Sequence, residues 1–246
     1  MDDVRLLGVL DEVVGAVRRA LDELEEWGPS GVRPGQYHLD LAADGAALPI
    51  LHGAGLAVLS EESGRTGDPG APLLAVIDPV DGSTNAFHGI PYFATSICIL
   101  DTEGPRVGLV VNQATGTRYA AVRGGGAECD GSPIAPSGCT ELPSAIVGIS
   151  GYPGRHPGWG QFRAFGAAAL ECCNVAEGRL DAYMVAGRST LYGWDYLAGL
   201  LVCREAGAAA AERDGLELDV RDDSPRRLLV AATPQLADRL GKEQDV

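Results

Sequence analysis

An apolar run that ends abruptly in a polar turn, at residues 73–85, limits the folds open to this chain more than any other feature. Five consecutive apolar residues, 73–77, favour a buried strand. The sequence then continues Asp78-Pro79-Val80-Asp81-Gly82-Ser83-Thr84-Asn85. Pro79 has no N–H to donate, so regular strand pairing should stop there, and Gly82 allows the backbone to turn sharply. The segment predicts a buried strand that delivers Asp78 to its carboxyl end, followed by a sharp turn after which Ser83 and Thr84 are candidates to open a helix.

The same segment carries the groups of two kinds of binding site. Asp78, Asp81 and the backbone carbonyl of Val80 are oxygen donors of the kind that a hard cation takes. The N–H groups at a helix start would favour a phosphate. A purely structural strand-to-turn junction is the alternative, because Asp, Pro, Gly, Ser and Asn are common in turns. A calcium EF-hand loop fits less well, since the twelfth position counted from Asp78 is Gly89 rather than a glutamate.

Three further groups of acids stand in patterns that allow a role at a site. Asp40 and Asp44 lie four apart and would share one face of a short helix that ends near residue 51. Solvated carboxylates at a helix start are the simpler interpretation, and we prefer it for Asp40. Glu61 and Glu62 follow a predicted strand at 56–59, and adjacent side chains point to different sides, so at most one of them needs to face a site. Asp195 opens an apolar helix, where a capping acid is common.

Helical and strand-like patterns alternate along the rest of the chain and predict a layered α/β protein. Apolar residues at helical spacing indicate helices over residues 4–27, 161–174 and from 194 to about 207. Runs separated by turn residues indicate strands at 93–100, 107–112, 117–122, 145–149, 181–185, 208–212 and 228–232, and a short helix follows. The glycines at 124–126 lack the lysine and the spacing of a phosphate-binding loop, and we assign them to a sheet connection.

Charge and composition argue against several classes of protein. The chain of 246 residues has 46% apolar and 22% charged residues, as expected of a globular protein, and its formal net charge of −15 argues against a nucleic-acid partner. The acidic start and the lack of a long apolar run argue against a signal peptide and a membrane span, so we expect a cytoplasmic location. The six cysteines show no metal-binding spacing. Bound cations would let so acidic a protein hold an anionic small molecule.

Four pieces of the chain, taken in order, resemble one known family. They are Asp44, Glu61-Glu62, the stretch from Asp78 to Thr84, and Trp194-Asp195 leading to Glu205-Ala206-Gly207. Over about residues 33–235 this arrangement resembles the inositol monophosphatase family of magnesium-dependent, lithium-sensitive phosphatases. The resemblance implies an α/β (α+β) fold, a layered αβαβα sandwich of the inositol monophosphatase and fructose-1,6-bisphosphatase type. It also implies one domain over residues 1–246, with halves of about 1–140 and 141–246 and the site between them.

The resemblance implies a metal site and a phosphate site. Two or three Mg²⁺ ions would be held by Glu61, Asp78, the Val80 carbonyl, Asp81 and Asp195. The phosphate would be held by the N–H groups of Gly82, Ser83 and Thr84. A homodimer is expected from the family.

The resemblance also implies how the attacking water is activated. Ser83 stands where the family has a hydroxyl residue that acts on the water together with an upstream acid. Asp44 is the better match for that acid and Asp40 is the alternative, because this region is shortened. Glu61 would take part in catalysis as well as in metal binding.

The substrate is where the chain departs from the family. In the inositol phosphatases an acid after the strand at 181–185 reads sugar hydroxyls, and Val185 stands there instead. Arg188 is a candidate contact for a second anionic group, although a surface arginine is the simpler interpretation.

The predicted function is a Mg²⁺-dependent phosphatase that hydrolyses a small soluble phosphomonoester with metal-activated water and without a covalent intermediate. An inositol-phosphate-like compound, histidinol phosphate, a sugar phosphate and a nucleoside bisphosphate stay open as substrates. The alternative is a non-catalytic regulatory or binding protein on the same fold.

Overall fold

The structure is a computed structural model that describes residues 1–242, and its strands form two sheets. The first sheet contains β1 (Ala57–Ser60), β2 (Gly64–Thr66), β3 (Leu74–Asp81), β4 (Ala94–Asp101), β5 (Gly104–Asn112), β6 (Arg118–Val122), β7 (Gly126–Cys129) and β8 (Ser132–Pro133). Its strand order is β2-β1-β3-β4-β5-β6-β7-β8. Strands β1 and β3 are parallel and the other neighbours are antiparallel. The carboxyl ends of β1 and β3 therefore lie side by side.

The second sheet is mixed and has the order β10-β9-β11-β13-β12. Its strands are β9 (Ile146–Ser150), β10 (Gln161–Arg163), β11 (Ala182–Val185), β12 (Ala209–Glu212) and β13 (Leu228–Ala231). The helices of the chain are α1 (Asp3–Asp22), α2 (His38–Gly53), α3 (Ser83–Phe87), α4 (Ala168–Ala176), α5 (Gly193–Ala206) and α6 (Pro234–Lys242). None of the helices within residues 1–242 combines the length and the apolar character that a membrane crossing requires.

Alternating side chains divide the interior into three apolar layers. In β13, Leu228 and Val230 face the layer that also buries α4, α5 and one face of the first sheet. Leu229 and Ala231 face the opposite way, onto α6. The other face of the first sheet packs on α1 and α2. The order of layers is thus α1/α2, first sheet, α4/α5, second sheet, α6, which confirms the predicted αβαβα sandwich.

The central helix pair is held at close range by a glycine. A Cβ atom at Gly199 in α5 would lie 2.7 Å from the Cβ of Cys172 and 3.0 Å from the carbonyl oxygen of Ala169, both in α4. Cys203 reinforces the contact, because its Sγ donates to the Cys172 carbonyl at 3.0 Å. Cys172, Cys173 and Cys203 are all buried in this middle layer. This tight pair fixes where the first turn of α5 meets the first sheet.

Strand β3 is longer than the proline rule predicts. Pairing with β4 is regular up to Asp78, shifts register, and resumes at Asp81. Pro79 sits in that irregularity, and its carbonyl accepts the Thr95 hydroxyl at 2.8 Å. Pairing is irregular at Pro79, but the prediction that regular pairing stops there is wrong, because it resumes at Asp81. The resumed pairing keeps both Asp78 and Asp81 buried at the sheet end.

Three segments differ from the predicted elements. The helix predicted over 161–174 is wrong in its first part, because Gln161–Arg163 pairs with β9 as an edge strand. Gly166, with a φ of +83°, breaks the chain direction, and the helix begins only at Ala168. Helix α1 ends at Asp22 rather than near residue 27. Strand β2 was not predicted, since it is short and pairs only at the sheet edge.

Candidate active site

Three acids meet where β1, β3 and α5 come together. Glu61, Asp78 and Asp195 each contribute one carboxylate oxygen to a group whose members all lie within 4.8 Å of one another. The N–H of Glu61 donates to the Ile77 carbonyl at 3.2 Å, which extends the parallel pairing by one step and places Glu61 beside Asp78. Asp195 comes from the first turn of α5 and accepts the Tyr192 N–H at 2.7 Å. The three-acid cluster therefore draws on two strand ends and one helix start.

Electrostatics in the three-acid cluster favour a bound cation. Burial, followed by repulsion from Asp195 and Glu62, raises the pKa of Glu61 to about 7. Burial, followed by the charge of Asp81, raises the pKa of Asp195 to about 7. Burial and the neighbouring carboxylates hold the pKa of Asp78 well above its ordinary value. Crowded carboxylate oxygens with this mutual repulsion fit a hard divalent cation, which takes oxygen ligands and relieves the repulsion.

Asp81 lies next to the three-acid cluster but is held by α4. Its two oxygens accept the N–H groups of Ala168 at 3.1 Å and Ala169 at 2.7 Å, at the start of that helix. Burial raises the pKa of Asp81 to about 8, although these two hydrogen bonds lower it. Val80 is buried beside it, and its N–H donates to Asp78 at 2.9 Å. The predicted ligand set is thus gathered in one region, with Asp81 bridging the first sheet and the middle helices.

The turn after Asp81 requires a glycine. Gly82 has a φ of +87° and precedes α3, which starts at Ser83 as predicted. A Cβ atom at Gly82 would lie 3.0 Å from the Gly166 carbonyl oxygen and 3.1 Å from the Tyr92 carbonyl oxygen. Asn85 ties the turn to the same surroundings, because its Nδ2 donates to the carbonyls of Tyr92 at 2.8 Å and Phe165 at 2.7 Å. These contacts fix the direction in which the first N–H groups of α3 point.

Asp40, rather than Asp44, lies beside Ser83. The Asp40 carboxylate accepts the Tyr37 N–H at 2.8 Å and lines the same cleft as Ser83. Burial raises the pKa of Asp40 to about 7, and hydrogen bonding with the Ser83 side chain opposes that rise. Asp40 is 4% exposed, so the interpretation of it as a solvated carboxylate is wrong. Asp44, one turn later in α2, instead accepts the Ser60 hydroxyl at 2.5 Å in the interior.

A cleft of about 420 Å³ opens at this place, and it is lined by Arg33, Pro34, Gly35, Gln36, Asp40, Glu61, Glu62, Ser83, Tyr192, Trp194 and Asp223. Both Glu61 and Glu62 line it, although their adjacency required only one to do so. Arg33 donates to Glu62 at 2.6 Å and to the Glu61 carbonyl at 3.1 Å, and Gln36 also donates to Glu62. Neither Arg33 nor Gln36 was predicted, because the loop before α2 has no local pattern that distinguishes it from an ordinary turn.

The remaining predicted residues occupy different positions. Thr84 lies in α3 with its hydroxyl 3.3 Å from the Tyr37 hydroxyl. Arg188 is exposed and does not line the cleft. Val185 is fully buried in β11. The structure therefore does not bring Arg188 to the candidate site.

The fold and the acidic site define a class of αβαβα proteins, and comparison with known proteins gives the family. The sequence profile of the inositol monophosphatase family matches residues 52–245. A fructose-1,6-bisphosphatase/inositol-1-monophosphatase of Archaeoglobus fulgidus is 32% identical over 98% of this chain and 98% of its own length. The Nus factor SuhB of Pasteurella multocida is 28% identical over 82% of this chain and 79% of its own length.

Solved structures agree with this result. The extragenic suppressor protein suhB of Bartonella henselae superposes with a TM-score of 0.83 at 25% identity, covering 98% of both chains. Inositol monophosphatase II of Staphylococcus aureus gives a TM-score of 0.83 at 25% identity, covering 98% of this chain and 93% of that one. The chain belongs to the inositol monophosphatase family. It is, accordingly, a phosphatase of that superfamily, a hydrolase of phosphoric monoesters.

Proposed function

We propose that this protein is a Mg²⁺-dependent phosphatase that hydrolyses a small soluble phosphomonoester by direct attack of water. The observation that carries the proposal is the three-acid cluster of Glu61, Asp78 and Asp195, whose member Glu61 lines the same cleft as Ser83 and Asp40. Carboxylates that repel one another at a sheet end need a cation, and a phosphate ester supplies the anion that such a cation attracts. The cleft is therefore suited to a substrate that enters with its phosphate towards the cluster.

The proposed metal ligands are the three-acid cluster together with Asp81 and the carbonyl of Val80, for two or three Mg²⁺ ions. When bound, Mg²⁺ would polarise the phosphoryl oxygens and lower the pKa of a water molecule, which is the chemistry that hydrolysis of a monoester needs. Asp81 would keep its place through the two N–H groups of α4 that already hold its carboxylate.

Asp40 and Ser83 would orient the attacking water. Hydrogen bonding from the Ser83 hydroxyl to Asp40, which opposes the rise in the pKa of Asp40, would leave the Ser83 oxygen to accept a hydrogen bond from the water. A proton released by the water can then pass through Ser83 to the carboxylate. We assign this role to Asp40 rather than to Asp44, because Asp44 is occupied by Ser60. Neither a serine nor a cysteine nucleophile is required, and no covalent intermediate is expected.

The phosphate would be held at the turn before α3. The N–H groups of Gly82, Ser83 and Thr84 stand at the first turn of the helix, where no helical carbonyl precedes them. The closely packed conformation of Gly82 supports the proposal, since it keeps this turn in one position.

Two wider features are proposed with the function. Glu61 and Asp78 come from the half before residue 140 and Asp195 from the half after it, which supports a single domain with its site between two halves. A homodimer is proposed from the family resemblance alone.

The test is phosphate release from a broad panel of phosphomonoesters in the presence of Mg²⁺. Asp195→Asn should lower kcat by at least about a hundredfold, on the scale of losing a group that acts in the transition state. Asp238→Asn is the matched control, because it makes the same change on the exposed face of α6 and should keep wild-type kcat. Failure of the wild-type protein to release phosphate from any member of the panel would refute the proposal, as would full activity of Asp195→Asn.

A regulatory role is the second candidate, and the relatives named Nus factor SuhB are what favour it. The complete three-acid cluster favours catalysis instead, because a protein that acts only by contact has no need of repelling buried carboxylates. Calorimetry that detects no Mg²⁺ binding, together with a stoichiometric macromolecular partner, would support the regulatory role.

A further inference from the structure

We propose that the alcohol part of the substrate carries a positive charge, as in the phosphate ester of an amino alcohol. The proposal rests on the proposed function and extends it from the phosphate group to the rest of the substrate. It follows from three features of the cleft lining: a stacked aromatic pair, a carboxylate without a partner, and a single arginine that is already paired.

The aromatic pair is formed by Tyr192 and Trp194 at the start of α5. Their rings are stacked, with centroids 4.9 Å apart and an angle of 15° between the ring planes. Both residues line the cleft, and Tyr192 is 39% exposed. The backbone N–H of Tyr192 donates to Asp195, so the pair stands at a set position beside the three-acid cluster. Electron-rich ring faces in this position attract a cation.

The carboxylate is Asp223, on the loop before β13. It is exposed and lines the cleft, and it has no hydrogen-bond or ion-pair partner among residues 1–242. The neighbouring Asp222 differs, because it accepts the Ser224 N–H at 3.0 Å and does not line the cleft. An unpaired carboxylate in the same cleft as two aromatic rings is the setting that an ammonium group requires.

A second phosphate finds no matching group in this cleft. Arg33 is the one basic side chain in the cleft lining that the structure describes, and its guanidinium is paired with Glu62 at 2.6 Å. Arg188 does not line the cleft. A second phosphate would therefore meet Asp223 and the ring faces, which repel an anion.

The test compares kcat/KM for two substrates that differ in one charge. L-histidinol phosphate carries an ammonium group, and its N-acetyl derivative does not. With Mg²⁺ present, the ratio of kcat/KM for the charged ester to that for the acetylated ester should be about ten or more in the wild type. Asp223→Asn should lower that ratio about fivefold, and Tyr192→Leu should lower it by a similar factor. Asp222→Asn and Tyr192→Phe are the matched controls and should keep the wild-type ratio.

The outcomes separate this inference from the proposed function. If neither ester nor any other phosphomonoester is hydrolysed, the proposed function fails. If the N-acetyl derivative, myo-inositol 1-phosphate or fructose 1,6-bisphosphate is hydrolysed with a kcat/KM equal to or higher than that of L-histidinol phosphate, the proposed function stands and the inference is refuted. A ratio that does not change in Asp223→Asn and Tyr192→Leu also refutes it, because the charge would then be read elsewhere.

Discussion

The substitution Asp40→Asn tests most directly which of the two candidate acids of α2, Asp40 or Asp44, accepts a proton from Ser83. The substitution keeps the size of the side chain and an oxygen that can accept the Tyr37 N–H, whose present distance is 2.8 Å. It removes the negative charge that would take a proton from Ser83. Loss of a group that accepts a proton in the transition state lowers kcat by about 10²–10⁴-fold. KM should change little, because Asp40 is not assigned a contact with the phosphate.

Asp40→Asn should not lower the stability of the folded protein, although it lowers kcat. Burial raises the pKa of Asp40 from its ordinary value of 3.8 to about 7, so the ionised carboxylate destabilises the folded protein above that pH. Removing the charge should leave the free energy of unfolding at pH 8 unchanged or higher. A low kcat in Asp40→Asn therefore cannot be attributed to unfolding.

Asp44→Asn should give the opposite result. The substitution weakens the buried hydrogen bond from the Ser60 hydroxyl, at 2.5 Å, and an intramolecular hydrogen bond contributes about 0.5–1.5 kcal/mol. Urea unfolding should show a loss of about that size, while kcat of the folded protein stays close to that of the wild type.

The assay is kcat with a saturating phosphomonoester and Mg²⁺, accompanied by urea unfolding of each variant at the same pH. The assignment of the proton-accepting role to Asp40 is refuted if Asp44→Asn loses turnover at unchanged stability and Asp40→Asn keeps full activity. That result would return the proton-accepting role to Asp44.

Three further substitutions test the packing around the site. Glu171 is completely buried, one of its oxygens has no partner among the described residues, and burial raises its pKa from 4.5 to about 8. Its contribution to the free energy of unfolding should therefore fall as the pH rises from about 4.5 to 8. In urea unfolding, Glu171→Gln should be more stable than the wild type at about pH 9 and differ little from it at about pH 5. Gly82→Ala should lower the free energy of unfolding by about 1–3 kcal/mol and lower kcat, because φ is +87° and the new Cβ would lie 3.0–3.1 Å from two backbone oxygens. A wild-type kcat in Gly82→Ala would contradict the requirement for glycine at this turn. Gly199→Ala should lower the free energy of unfolding in urea by about 1–3 kcal/mol, because the new Cβ would lie 2.7 Å from the Cβ of Cys172. The matched control is Gly8→Ala in α1, where a Cβ would meet nothing within 4 Å, and it should be neutral or stabilising. Equal effects of the two substitutions would contradict the close packing of α4 and α5.

The structure of residues 73–85 could largely be predicted from sequence, because the residues that determine it are neighbours in the chain. An apolar run followed by Asp-Pro-Val-Asp-Gly-Ser predicts the buried strand β3 and the turn at Gly82, and both are present. The resumption of pairing at Asp81 was not predicted. The order of the dispersed acids identified the family and, through it, the layered fold. Local pattern alone does not indicate which strand neighbours β3, and the proximity of Glu61 and Asp78 depends on the parallel pairing of β1 with β3.

The choice between Asp40 and Asp44 depended on where α2 begins. No Ser, Thr, Asp or Asn stands just before His38 to mark the helix start. The capping acceptor is instead Asp40, which lies within the first turn and accepts the N–H of Tyr37. The cleft lining was missed for a related reason. Arg33, Tyr192 and Asp223 lie on three separate loops, and only the tertiary packing brings them to one cleft.

Phosphate release during a Mg²⁺ titration of chelator-treated protein tests the central claim most directly. The three-acid cluster of Glu61, Asp78 and Asp195 should leave the protein inactive until Mg²⁺ is added, and activity should then rise to saturation. Asp78→Asn should require far more Mg²⁺ or show no activity at any concentration. Full turnover by the wild type in excess chelator, or an unchanged Mg²⁺ dependence in Asp78→Asn, would contradict the account.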